Sequence, residues 1–124
     1  MAIVSPAKRR LRKRREFLAV QGEGRKIGGK HFLVFVRPRV GTETSPLAVE
    51  TRFGITVTRK IGNAVTRNRV KRVVRAGFRQ VAASFPSGFD LVIVARSSAP
   101  SAGSGEAAAE LREVARRLRS RSGR

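Results

Sequence analysis

Residues 59–79 read RKIGNAVTRNRVKRVVRAGFR, and the reading of this stretch decides the fold. A strand pattern ends at Lys60, Gly62-Asn63 makes a turn, and a helix pattern follows. On a wheel of ~3.6 residues per turn, Arg67, Arg69, Lys71, Arg72, Arg75 and Arg79 fall mostly on one arc, which excludes Val70, Val73, Val74, Gly77, Phe78 and Val81. The apolar set has the i, i+3, i+4, i+7 spacing of a helix buried on one side. An ordinary solvated helix interleaves opposite charges four residues apart. Here no Asp or Glu occurs between Arg52 and Phe89, so the basic face repels itself until a polyanion neutralises it.

The whole chain shares this bias. Among its 124 residues are 28 Lys or Arg against 8 Asp or Glu, a formal net charge of +20. A hydrophobic fraction of 40% is enough for one folded domain with a modest core. The basic residues are mostly Arg, whose forked guanidinium grips phosphate in bidentate fashion and stacks on bases, so nucleic acid is the first partner to consider. An anionic membrane surface is the competitor. No stretch approaches the ~20 apolar residues of a spanning helix, and no basic helix has a bulky apolar face. The lack of cysteine excludes disulfides, thiolate zinc sites and cysteine nucleophiles, and it fits a reducing cytoplasm. Ala2-Ile3-Val4 is too short for the apolar region of a signal peptide, so none is expected. A nuclear-localisation reading of the run Lys8–Arg15 ranks below direct RNA or DNA contact.

Outward from the central helix, the pattern predicts the rest. Residues 1–7 read as a flexible lead, 8–119 as one domain and 120–124 as a basic tail. A short helix from about Lys13 to Val20 has Leu11, Phe17, Leu18 and Val20 sharing a face, and ends at Gly22 and Gly24. Phe17 is either a core anchor or a platform for a single-stranded base. Lys26–Lys30 reads as a Gly-rich basic turn. His31–Arg37 is a strand ended by Pro38, with Phe32, Val34 and Val36 on one face and Leu33 and Phe35 on the other, hence central or covered twice. Val40–Glu50 is a loop. Thr51–Lys60 is a strand with Phe53, Ile55 and Val57 opposite Thr56 and Thr58, and Gly54 inside it signals a bulge or a close backbone approach. The basic helix runs from Ala64 to about Ser84. Phe89–Arg96 is a second central strand, and Ser97–Gly105 a linker. Glu106–Arg119 is a final helix with Leu111, Val114, Ala115 and Leu118 inward and Ser104 as N-cap. The order is α-β-β-α-β-α, with room for an extra strand between residues 40 and 60.

Catalytic groups are scarce. A protein nuclease needs carboxylates around magnesium, or a His base with a partner. The chain has one Asp, Asp90, and one His, His31. Asp90 at a strand start reads as structural, His31 as a partly exposed strand residue, and Glu106, Glu110 and Glu113 as an ordinary helix face. No nucleophile-elbow or phosphate-loop spacing occurs. Any chemistry is expected to belong to a partner.

At Lys60-Ile61-Gly62-Asn63-Ala64-Val65, followed by Arg67-Asn68-Arg69-Val70-Lys71-Arg72 and Arg75, the chain resembles the protein subunit of bacterial ribonuclease P. The basic run into Arg15-Glu16-Phe17, the strands around Phe32–Val36 and Phe53–Thr58, and Asp90–Arg96 with its following helix extend the match over nearly the whole chain. The resemblance implies an α+β fold. It is an α-β-β-β-α-β-α two-layer sandwich with a left-handed β-α-β crossover, similar to domain IV of elongation factor G. Periodicity alone would give the usual right-handed crossover. The implied function is that of a subunit of the ribonucleoprotein that removes the 5′ leader of precursor tRNA, with catalytic Mg2+ held mainly by the RNA subunit and no protein partner required. The RNA-subunit role then falls on Arg67, Asn68, Arg69, Lys71, Arg72 and Arg75, flanked by Arg59 and Lys60. A leader-binding cleft between the first helix and the sheet falls on Phe17 and Phe35, with Arg15 and Arg96. Gln21 stands where many family members carry a second aromatic, and Phe35 where they often carry Tyr. The rival from another class is a basic ribosomal or ribosome-assembly protein, which would bind ribosomal RNA without promoting leader removal.

Overall fold

The structure is a computed structural model that describes residues 14–38, 51–86 and 88–122. The chain runs α1 (Arg14–Glu23), β1 (Arg25–Gly28), β2 (Phe32–Pro38), β3 (Arg52–Thr56), α2 (Ala64–Val81), β4 (Phe89–Ala95) and α3 (Ser104–Ser122). This is the α-β-β-β-α-β-α order that the resemblance implied. The strands form one sheet in the order β1-β2-β4-β3. β1–β2 and β2–β4 are antiparallel, while β3 and β4 are parallel neighbours joined through α2.

Alternation along the two inner strands divides the molecule. Phe32, Val34 and Val36 of β2, Leu91 and Ile93 of β4, and Phe53 of β3 face α2 and α3 in the main core. There Phe78 of α2 stacks on Phe53 with ring centroids 4.1 Å apart. α3 adds Leu111, Val114, Ala115 and Leu118, all buried, together with Ala107 and Ala108. α2 and α3 approach closely because Gly77 has no Cβ: one built there would lie 2.9 Å from Ala107 Cβ. The other sheet face carries a smaller cluster in which Val20 and Phe17 of α1 meet Phe35, Val92 and Val94. β2 is therefore covered on both faces, as its two apolar stripes required.

Several expectations are corrected. Among the described residues, the strand beyond the pattern-based order is β1, in the segment taken for a basic turn. Its only bulky apolar residue is Ile27, so no periodicity marks it. Pairing with β2, Ile27 against Val34, makes it a strand. Residues 39–50, like the basic run before Arg14, lie outside the described residues. α1 continues through Gly22 to Glu23, and the Gly24 N–H donates to the Val20 carbonyl at 2.7 Å. Leu18 does not join the face of Phe17 and Val20; it is 54% exposed, because it lies about 100° around the helix from Phe17. β3 stops at Thr56, and Arg59–Ile61 form a 3-10 turn. Pro38 is the last paired residue of β2, opposite Phe89. α2 ends at Val81 and passes into a 3-10 turn at Ala82–Ser84.

The start of α3 also differs. The Ala107 N–H donates to the Gly103 carbonyl at 3.0 Å, and Glu106 Oε1 accepts the Gly103 N–H at 3.0 Å. Gly103, and not Ser104, thus stands at the cap, with Glu106 bonding back to it three residues on. That hydrogen bond, and then His31 nearby, hold the Glu106 carboxyl below its usual range.

Candidate nucleic-acid interface

The basic helix is launched by a defined turn. Gly62 adopts φ 155°, a conformation that L side chains rarely take, and Asn63 Oδ1 accepts the Thr66 N–H at 2.9 Å. This cap fixes where α2 begins, and hence which residues face outward. Arg59, Lys60, Asn68, Arg69, Arg72 and Arg79 are exposed. Arg67, Lys71 and Arg75, spaced by four, are half-buried along the flank of the apolar stripe. Arg67 Nε is buried with no hydrogen-bond partner among the described residues. Arg69 Nη1 donates to the Pro100 carbonyl at 2.7 Å, tying the helix to a 3-10 turn at Ala99–Ser101. Each residue read from the motif therefore sits on or beside one helix and its leading turn.

The second surface is the sheet face beneath α1. Register places its residues in rows across the strands. One row is Arg37–Asp90–Arg52, the next Lys26–Phe35–Val92–Gly54, and the third Gly28–Leu33–Val94–Thr56. Arg96 follows Val94 two residues on, and a Cβ built on Gly28 would lie 2.9 Å from its Nη2. Phe17 stands over Gly54; a Cβ there would come within 2.4 Å of Phe17 Cζ. The close backbone approach that the strand glycine signalled is thus made by an aromatic ring. Phe17 and Phe35 are brought together, each half-buried in the same cluster. Arg96 lies on the same face, about 13 Å along β4 from the Val92 row. Arg15 does not join them: it is exposed and, two residues before Phe17, falls about 200° around α1. Gln21, one turn after Phe17, is half-buried on the near side.

Sequence reasoning missed the charged row. Asp90 is 1% exposed and accepts from Arg52 Nε and Nη2, both at 3.0 Å. Arg52 Nη1 reaches Glu16 Oε2 on α1 at 3.2 Å, and Arg37 Nη2 lies 3.7 Å from Asp90. The hydrogen bond to Asp90 raises the Arg52 pKa further, outweighing the opposing effect of burial. The signal was that Asp90 and Arg52 each fall on the sheet face opposite the main core. His31 was also misjudged. It is 3% exposed, with Nδ1 2.8 Å from Ser98 Oγ and Nε2 3.4 Å from Glu106 Oε2. Glu110 accepts the backbone N–H groups of His31 and Phe32 at 2.9 and 3.2 Å, so it braces the β1–β2 hairpin and is more than a solvated face. Glu113 pairs with Arg116 and Arg117, which hold its pKa near 2. Among the described residues no group of three or more His, Cys, Asp or Glu is placed to hold a metal ion.

Comparison with known proteins follows the same outline. The family model described as "Ribonuclease P" matches residues 5–119. The ribonuclease P protein component of Desulfovibrio desulfuricans is 41% identical over 113 residues, covering 91% of this chain and 79% of that protein. The one from Oleidesulfovibrio alaskensis is 44% identical over 85 residues, covering 68% of this chain and 64% of that protein. Among solved structures, the Thermotoga maritima ribonuclease P protein superposes with a TM-score of 0.72 at 32% identity, over 87% of this chain and 96% of that one. The Staphylococcus aureus protein superposes with a TM-score of 0.68 at 26% identity, over 89% and 94%.

Proposed function

This chain belongs to the ribonuclease P protein family, and on that premise we propose that it is the protein subunit of a ribonucleoprotein that removes the 5′ leader of precursor tRNA. The observation that carries the reading is the basic, acid-free face of α2 and its leading turn. Arg59, Lys60, Arg67, Asn68, Arg69, Lys71, Arg72 and Arg75 bind the catalytic RNA in this reading. The exposed and half-buried guanidinium groups of this face can each take a phosphate oxygen in a charge-assisted hydrogen bond. The single-stranded leader lies on the sheet face under α1. Phe17 and Phe35 offer ring faces for stacking, and Arg96 offers a guanidinium to the backbone. Arg15, on the outer side of α1, contributes charge to the approach and does not form the floor.

Chemistry belongs to the RNA. The carboxylates whose side chains are described are engaged elsewhere: Asp90 and Glu16 with Arg52, Glu106 and Glu110 with backbone N–H groups, and Glu113 with arginines. They do not form the oxygen cage that a hard divalent ion takes, so the reading assigns the Mg2+ ions to the RNA. The protein's part is to position the leader and to offset phosphate repulsion, which strengthens ion binding by the RNA nearby. No helix among the described residues is long and apolar enough to cross a membrane. A cytoplasmic location, alongside tRNA precursors, goes with the proposal.

The test is to mix the full chain, the catalytic RNA and precursor tRNA at low magnesium. Cleavage that neither component gives alone is expected. Binding to ribosomal RNA with no stimulation of cleavage would overturn the reading in favour of a ribosomal or assembly protein.

A further inference from the structure

The charged row under α1 has no part in binding RNA as described above, yet it ties α1 to the sheet through Glu16. Arg52 stands between two carboxylates from different elements. Asp90 on β4, buried, takes two of its N–H donors at 3.0 Å each, and Glu16 on α1 takes a third at 3.2 Å. Asp90 is 1% exposed, and Arg52 gives it a forked pair of hydrogen bonds where Arg37 Nη2 comes only to 3.7 Å, so Arg52 is anchored at its sheet end. The Glu16 contact is the end that reaches the helix. Both of its side chains are only 25% exposed, which spares the contact much of the solvent screening of a surface pair. Two residues along the same face of β3 is Gly54, on which the Phe17 ring rests. Glu16 and Phe17 are consecutive on α1, while Arg52 and Gly54 are successive same-face positions on β3. The helix is thereby pinned to this edge strand at one charged and one steric point.

We propose that Arg52 is a positioning residue for recognition of a single-stranded RNA leader. By bridging buried Asp90 to Glu16, it sets the height and rotation of α1 over the sheet, and so the width of the cleft in which Phe17 and Phe35 present their rings. This inference rests on the leader-binding reading above. It makes a prediction of opposite sign to simple electrostatics. If Glu16 were only an acidic group beside an RNA path, removing its charge would relieve repulsion and tighten leader binding. If Glu16 is the helix end of a brace, removing its charge loosens α1 and weakens leader binding.

The experiment uses the holoenzyme reconstituted from the full chain and the catalytic RNA, and compares precursor tRNA carrying a long leader with mature tRNA. Glu16→Gln is expected to weaken precursor binding about fivefold, as for loss of one partly screened ion pair, with mature tRNA and RNA-subunit affinities unchanged. Arg52→Lys keeps the charge but loses the fork that bonds two partners at once, and the same selective loss is expected. The double variant loses little more than either single one, because both cut the same link. Amide exchange at Phe17–Val20 quickens in both variants while that of α2 holds. Precursor binding by Glu16→Gln that equals or exceeds wild type overturns the proposal, as do fully additive losses. A wild-type holoenzyme with no preference for the leader overturns the leader reading and this inference with it. A preference that wild type shows and Glu16→Gln retains overturns only the positioning role. Should Arg52→Lys fail to fold, Glu16→Gln at its partly exposed site decides the matter.

Discussion

Phe17 has a packing role in the fold and, in the proposed function, a second one toward RNA. Its ring rests on Gly54 and packs with Val20, Phe35 and Val92, yet it stays half-buried. Phe17→Ala is expected to weaken binding of leader-bearing precursor on the order of tenfold more than binding of mature tRNA, the value of one lost base stack. The same change costs about 2 kcal/mol of stability, less than for a fully buried ring. Phe17→Leu separates the two effects, since it keeps most of the packing and removes the ring face. Equal losses for both RNAs would assign Phe17 to the core alone. At this scale the sequence was legible where one residue type carries the signal: the strand glycine at 54 announced a close approach, which the Phe17 ring makes. The Arg52–Asp90–Glu16 row was not, because its members are far apart in the chain and meet only through strand register and the docking of α1.

Elements were legible in proportion to their periodicity. α2, β2, β4 and α3 each carry a stripe several residues long, and each lies within a few residues of its expected span. β1 has one core residue in four and became visible only through its pairing. The crossing of α2 and α3 gives a test at this level. Alanine has a helix propensity better than glycine by about 1 kcal/mol, so Gly77→Ala in an isolated helix would stabilise. In the fold the new Cβ would meet Ala107 Cβ and the Ala108 backbone N at 2.9 Å. Overpacking of about 1–3 kcal/mol wins, and a net destabilisation is expected as a lower urea midpoint with an unchanged slope. A raised midpoint would show that the helices can part without loss.

The charge field belongs to the molecule as a whole. With +20 on 124 residues, the free protein carries a self-repulsion that RNA binding relieves. Arg67, Arg69 and Arg72 together make the test, since none is part of the buried core. Changing all three to Ala is expected to leave the circular dichroism spectrum intact and to weaken assembly with the catalytic RNA. If each contacts a duplex phosphate, the slope of log K against log salt becomes shallower by about 0.9 per residue. Unchanged RNA affinity and slope would remove this face from the interface. Arg69 also holds the Pro100 carbonyl, so Arg72→Ala is the cleanest single variant.

By itself the sequence determined which faces are apolar, which face is basic and where α2 begins. These are local properties: side chains recur every two residues in a strand and every ~3.6 in a helix, and an acid-free basic run is visible at any register. The tertiary structure alone decided that residues 25–28 are a strand, that His31 is buried behind Glu106 and Ser98, and that Arg52 links β4 to α1. The physical reason is that hydrogen-bonded register and the stacking of layers choose each polar side chain's partner, and no pattern within one segment encodes a partner held on another.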